Sequence, residues 1–262
     1  DFYPQIPISK EDENILQNYN WKRIEEQYSN DLFEDIYPES IQQGFLGDCY
    51  FIVSFIYAAE YKEKVKYLFH PQSSLKYGCV LVYFWFLGER IPVIVDTFVP
   101  YKDSSSFPLF SHPKSFDHSC WFSLVEKAFA KACGGYKYII SGQTHFGIHV
   151  LFDYFSVAHS NLSDFLTDFK SSVKEIENEK EEIFSILLNL KKKNAIIGTH
   201  IHMTNFPNKT PLAILKETGL IPDHAYYLLN IHEFENKKFV KLRNPWGKFE
   251  WKGDYSRRSS KW

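Results

Sequence analysis

An α+β fold is what this 262-residue sequence predicts, and three observations predict it. Helical signals gather in the first half: Tyr50–Ala59 is apolar on every face, as a buried helix is, and Trp121–Cys133 repeats apolar residues at i, i+3, i+4 and i+7. Strand signals gather towards the end, in Ala195–Ile201, Ala225–Ile231 and Phe239–Arg243. Apolar residues make up 44% of the chain and aromatics 18%, enough to fill the core that such elements need.

Taken in order, the first forty residues are polar and irregular, with one short helix expected near Trp21–Gln27. A glycine-punctuated loop, Gln43-Gly44-Phe45-Leu46-Gly47-Asp48-Cys49, then runs into the all-apolar helix and puts Cys49 on its first turn. Cys79–Leu87 reads as a strand, Gly88-Glu89 as a two-residue turn, and Ile91–Val95 as the returning strand. Pro92 confines that returning strand to an edge or a bulge. In the second helix Trp121, Leu124, Val125, Ala128, Phe129 and Ala132 form the packing face, and Glu126, Lys127 and Lys131 are expected to face outward. The mixed polar stretch Ser156–Ser172 marks a boundary between a helix-rich part, 1–156, and a β-rich part, 157–262. Val173–Leu190, dense in Glu and Lys, reads as a solvated outer helix. There is no internal repeat.

Charge and composition exclude several classes. A net charge of -2 lacks the basic excess of a nucleic-acid binder. No apolar run is long enough to cross a bilayer. The start, Asp1-Phe2-Tyr3-Pro4, has no signal-peptide pattern and no Met, which reads as a piece of a longer protein with further domains. Four cysteines without CxxC spacing indicate reduced thiols and a cytoplasmic setting. Cys79, Cys120 and Cys133 lie in or beside apolar runs and read as small hydrophobes.

Cys49 differs. A thiol with an ordinary pKa near ~8.5 becomes nucleophilic when a helix N-terminus and an imidazolium favour its thiolate. The loop-then-helix context supplies the first. Ten histidines compete for the second role. His200 and His202 alternate along a strand, but no third ligand accompanies them, so no metal site is read there. His224 opens the strand Ala225–Ile231, and the following strand ends at Asn244. With a turn near residue 234 or 235, antiparallel positions sum to roughly 468–470, which sets His224 opposite residues 244 to 246 with Cβ atoms ~5 Å apart. The Asn244 amide can then hold the His224 ring, and Trp246 can shield that bond from water. Gln43, six residues before Cys49, can join the Cys49 N–H as an oxyanion donor.

These residues also carry a resemblance. Gln43-Gly-Phe-Leu-Gly-Asp-Cys49-Tyr-Phe resembles the Q-G-x-L-G-D-C-W-F signature of calpains. Asp223-His224-Ala225-Tyr226 resembles their G-H-A-Y, and Arg243-Asn244-Pro245-Trp246-Gly247 with Glu250-Trp251 resembles R-N-P-W-G-x-x-E-W. The stretch Trp121–Lys131 is similar to the family's F-W-x-x-L-L-E-K-A-Y-A-K helix. The four motifs follow the family's order across nearly the whole chain. The resemblance implies a papain-like fold, a helical lobe with the Cys and an antiparallel β-rich lobe with His and Asn, and a cleft between them. It implies endopeptidase action on proteins bound in extended form, with Gly47, Ser141, Gly142 and Asp223 along the cleft.

Four departures stand out. Tyr50 replaces a Trp, and Asp223 replaces the Gly before the histidine. The family's glycine pairs read Ser141-Gly142 and Ser156-Val157. Many calpain cores bind two calcium ions, yet the acidic ligand positions fall here on Ser40, Ser119 and Arg257, with Glu250 the retained remnant. The expectation is a core with weak or no calcium binding and no other cofactor, in which Arg257 or Arg258 supplies positive charge near Glu250. Two other readings stay open: a catalytically silent binding or scaffolding module of the same fold, and a different papain-like thiol hydrolase such as a ubiquitin-removing enzyme.

Overall fold

The 11 residues Cys49–Ala59 (α1) form a helix whose side chains after Cys49 are all buried. The computed structural model describes residues 19–28, 31–102, 105–115, 119–154 and 179–262. Around α1 lie Lys62–Tyr67 (α2), Trp121–Ala132 (α3) and Thr144–Phe152 (α4). Phe51 of α1 stacks on Phe129 of α3 with ring centroids 4.2 Å apart, and Phe55 meets Trp121 edge-on at 5.6 Å. Gly147 lets α4 approach closely: a Cβ there would lie 2.7 Å from Ser54 Oγ and 3.2 Å from the Phe51 ring. One apolar core therefore encloses the helix that carries Cys49.

The strands are antiparallel throughout. Tyr19–Arg23 (β1) pairs with Phe98–Lys102 (β5), Ile41–Gln42 (β2) with His112–Pro113 (β6), and Cys79–Phe86 (β3) with Glu89–Asp96 (β4). Gly198–Ile201 (β7), His224–Phe234 (β8) and Lys237–Arg243 (β9) make a three-stranded sheet in the order β7-β8-β9. Glu179–Lys192 (α5) packs Phe184 against Leu228 and Ile231 of β8, and Pro211–Thr218 (α6) follows β7.

Several expectations change. Trp21–Gln27 is not a helix: residues up to Arg23 are strand, because β5 offers them a partner, and only Ile24–Glu26 turns, as a 3₁₀ segment. The β3–β4 turn centres on Leu87 and Gly88, one residue earlier than expected, and both have positive φ. Phe86 pairs with Glu89, so a two-residue loop with left-handed backbone closes the hairpin. Glu126 and Lys127 do not face outward; each is 1% exposed. Lys127 Nζ reaches Asp96 Oδ1 at 2.5 Å and the Phe98 carbonyl at 2.6 Å, which satisfies its charge inside the fold. The expected outer helix is only partly solvated, since Phe184 and Ile186 are buried. The boundary at 156/157 and the pair Ser156-Val157 lie outside the described residues.

Candidate active site

Cys49 stands at the start of α1, directly after Asp48 at the N-cap position. The Phe51 and Ile52 amides donate to the Asp48 carbonyl at 2.8 and 3.1 Å, which closes the first turn. Three backbone N–H groups bear on the sulfur, those of Ala225, Tyr50 and Cys49 itself. Burial raises the thiol pKa, and these amides only partly offset it. The net shift favours the protonated thiol.

The Ala225 amide comes from β8, next to His224. In β8–β9 the pairing Tyr227 with Arg243 holds before a bulge between Leu228 and Asn230, and it carries His224 towards the residues after β9. His224 Nε2 lies 2.9 Å from Asn244 Oδ1. The Trp246 amide also donates to Asn244 Oδ1, at 2.9 Å, while Asn244 Nδ2 donates to the Lys248 carbonyl at 2.7 Å. A backbone N–H can only donate, so the shared atom is the amide oxygen. Nε2 of a neutral His224 must therefore carry the proton, which leaves the Nδ1 lone pair free. The Trp246 ring lies 4.9 Å from the imidazole and Tyr226 5.2 Å, and His224 is 3% exposed. Burial lowers the His224 pKa against the opposing pull of Asn244, so the ring is neutral near pH 7.

Gln43 is tied to both neighbours. Its backbone N–H donates to the Pro245 carbonyl at 2.9 Å, and its Nε2 donates to the Leu46 carbonyl at 2.7 Å. The second Nε2 hydrogen is left for another acceptor. Gly44 is required by close approach, because a Cβ there would fall 2.0 Å from the Phe110 carbonyl oxygen. The Ser141 amide donates to the Gly47 carbonyl at 2.9 Å, and Gly142 faces the Tyr50 ring, where a Cβ would come within 2.6 Å. Ser141 and Asp223 have φ of 62° and 50°, a left-handed backbone at positions where glycine costs nothing. Asp223 adjoins His224, but its Oδ1 accepts from the Met203 amide at 3.0 Å and lies 4.0 Å from His202 Nδ1. His202 and His200 touch through their Nε2 atoms.

At the positions that the resemblance assigns to calcium, one carboxylate remains, that of Glu250. Ser40 is buried, and its hydroxyl donates to the Tyr37 carbonyl at 2.7 Å; the Ser119 hydroxyl is also buried. Neither brings charge. Glu250 stands apart, exposed, with its Oε2 3.4 Å from Arg257 Nε. The two side chains form an ion pair at the surface.

Two residues escaped the sequence reading. Asp48 is 0% exposed and Glu126 1%, and the two carboxyls face each other beneath Cys49. A signal was available: Phe122 and Ala130 lie off the apolar stripe of α3, and the helix is wrapped on every side as far as Ala130, although Ala132, expected on the packing face, is exposed.

Comparison with known proteins identifies the family. The family model described as calpain family cysteine protease matches residues 3–262. Human calpain-14 is 31% identical over 92% of this chain, which spans 33% of that protein. The calpain-type cysteine protease DEK1 of Arabidopsis thaliana is 28% identical over 87% of the chain, which spans 10% of it. The calpain-1 catalytic subunit of Rattus norvegicus is 26% identical over 92%, and the chain spans 32% of it. No described helix is long and apolar enough to cross a membrane. The chain belongs to the calpain family of cysteine proteases.

Proposed function

We propose that the chain is the core of a cytoplasmic cysteine endopeptidase in which Cys49, His224 and Asn244 act together. The observation that carries this reading is the fixed Asn244 oxygen, which commits Nε2 of neutral His224 to donation and frees Nδ1 as a base. The lobes are papain-like, one spanning 1–156 and the other 157–262, with substrate extended along a cleft past Gly47, Ser141, Gly142 and Asp223. His224 Nδ1 takes the Cys49 proton as the sulfur attacks the scissile carbonyl carbon. The Cys49 N–H and the free Gln43 Nε2 hydrogen hold the oxyanion, worth ~3–4 kcal/mol per donor. His224 returns the proton to the leaving amine, and water then cleaves the thioester. Trp246 keeps water off the His224–Asn244 bond.

Calcium dependence is weak or absent in this core, with the Arg257 guanidinium standing in near Glu250. Substrates are proteins, and further domains belong to the full-length protein, as the greater length of the relatives suggests. A second reading, a silent binding module, draws support from the half-buried thiol, whose pKa burial pushes up. Labelling with a peptidyl epoxide, with and without calcium and with mass mapping against Cys49→Ala, separates them. Calcium-independent labelling at Cys49 is expected. Absence of labelling in both conditions favours the binding module, and calcium-dependent labelling overturns the account of the ligand positions.

A further inference from the structure

Asp48 occupies the N-cap of α1 yet caps nothing: its side chain accepts no bond from the first-turn amides. Neither carboxylate oxygen makes a well-formed hydrogen bond to a side chain or to another residue's N–H, although the residue is completely buried, and only its own backbone N–H bears on it. What it faces is the carboxyl of Glu126 on α3. Glu126 is well supplied with donors. The Ser111 amide lies 3.1 Å from Oε2 and the Ser111 hydroxyl 2.9 Å from the same oxygen, while Ser123 Oγ donates to the Ser111 carbonyl at 2.6 Å. Two buried carboxylates without a cation between them repel strongly, and a single proton turns that repulsion into a hydrogen bond. Lys127, next along α3, gives its ammonium to Asp96. The other titratable groups bearing on the pair are the phenols of Tyr50 and Tyr136 and the Cys49 thiol. The phenols stay neutral.

We propose that the pair holds one proton, on Asp48, whose O–H donates to the Glu126 carboxylate, so that the negative charge rests on α3 and not beside the Cys49 sulfur. Asp48 and Glu126 are then positioning residues for the nucleophile. The donor-rich side is the ionised side, because the Ser111 amide and hydroxyl both stabilise a carboxylate at Glu126, whereas Asp48 has only its own backbone N–H nearby. The pKa directions agree: burial and the Glu126 charge hold Asp48 well above the carboxylate range, while Glu126 is pushed up to about 7 by burial, against hydrogen bonds from Asp48 and Ser111. This inference rests on Cys49 being the nucleophile, and it concerns where that thiol's neighbouring charge sits.

Two isosteric substitutions move the charge in opposite ways. In Asp48→Asn the amide donates to Glu126 and the charge stays on α3. In Glu126→Gln the new amide donates to Asp48, which becomes the carboxylate beside the sulfur. The readout is the pH dependence of Cys49 alkylation by iodoacetamide, mapped by mass so that the half-buried Cys79 and Cys133 are counted separately. Glu126→Gln should slow alkylation at pH 7 about tenfold, one pKa unit of thiol shift, and Asp48→Asn should slow it less than twofold. Equal slowing in both, no slowing in either, or the reverse order overturns the proposal. The unsubstituted chain gives an independent measure: its infrared spectrum at pH 7 should contain a protonated carboxylic acid band that Asp48→Asn removes. If that band is missing, the proton is not there. Iodoacetamide needs no protease activity, so failure of the endopeptidase reading leaves this test intact.

Discussion

The two sides of the candidate site are built to different standards. Cys49 rides on a helix sealed on all faces, with Phe51 stacked on Phe129 and ten consecutive buried residues after the nucleophile. His224 and Asn244 sit at one end of a hairpin whose other end is open to water: from Glu233 on, β8 is exposed, and Val240 and Leu242 of β9 are exposed as well. The difference teaches where stability and function are lodged. The Cys49 side is held by packing, so errors there should unfold the chain. The His224 side is held by a few directed hydrogen bonds, so errors there should disturb the site and leave the fold standing.

Breaking the packed side should give the largest effect. Phe51→Ala empties a site between Phe55 and Phe129 and should cost ~3–5 kcal/mol in urea unfolding. A loss under 1 kcal/mol would mean that the core is not the anchor described. On the other side, Asn244→Ala should lower kcat/KM by about 10- to 100-fold, the ~1–3 kcal/mol of one lost orienting bond. Its melting temperature should move little, and a large fall in stability with unchanged turnover would reverse the comparison.

The third test is titration. His224 has a lower pKa folded than unfolded, so as pH falls the unfolded chain takes up the proton first. Stability should therefore be lost as pH drops below the unfolded value of ~6.5 and level off only below the folded pKa. His224→Gln should remove that slope in unfolding measured between pH 7 and 5. The smallest effect belongs to the open end of the hairpin. Val240→Ala, at an exposed position, should change stability by less than about 0.5 kcal/mol and leave epoxide labelling unaltered.

Much of this could be read from residue patterns, and for physical reasons. Burial on all faces of Tyr50–Ala59 follows from a run with no polar face, and the Cys49 position follows from the glycine loop before it. The His224–Asn244 partnership was legible because antiparallel register is arithmetic once the turn is placed. Its turn fell at Glu235-Asn236, slightly later than expected, and the bulge after Leu228 absorbed the difference near the site. The Trp21 strand was not legible because its partner, β5, lies far along the chain. Glu126 and Lys127 were misplaced because charge predicts exposure only when no internal partner exists. Ser111 and Asp96 are such partners, and no local pattern reveals them.

The stitching between the nucleophile loop and the end of β9 bears on the order of assembly. Arg243 Nη2 donates to the Ile41 carbonyl at 3.2 Å across 202 residues of chain, and the Gln43 amide donates to Pro245 beside it. Closing so long a loop costs entropy that grows with its length, whereas the β8–β9 hairpin closes across a two-residue turn. The helix core and the hairpin can each form early from near neighbours in sequence. Their junction, which sets Gln43 against the Asn244-Pro245 segment, should therefore form last. A chain can then acquire nearly all of its structure before the Gln43 loop and the Asn244 segment meet.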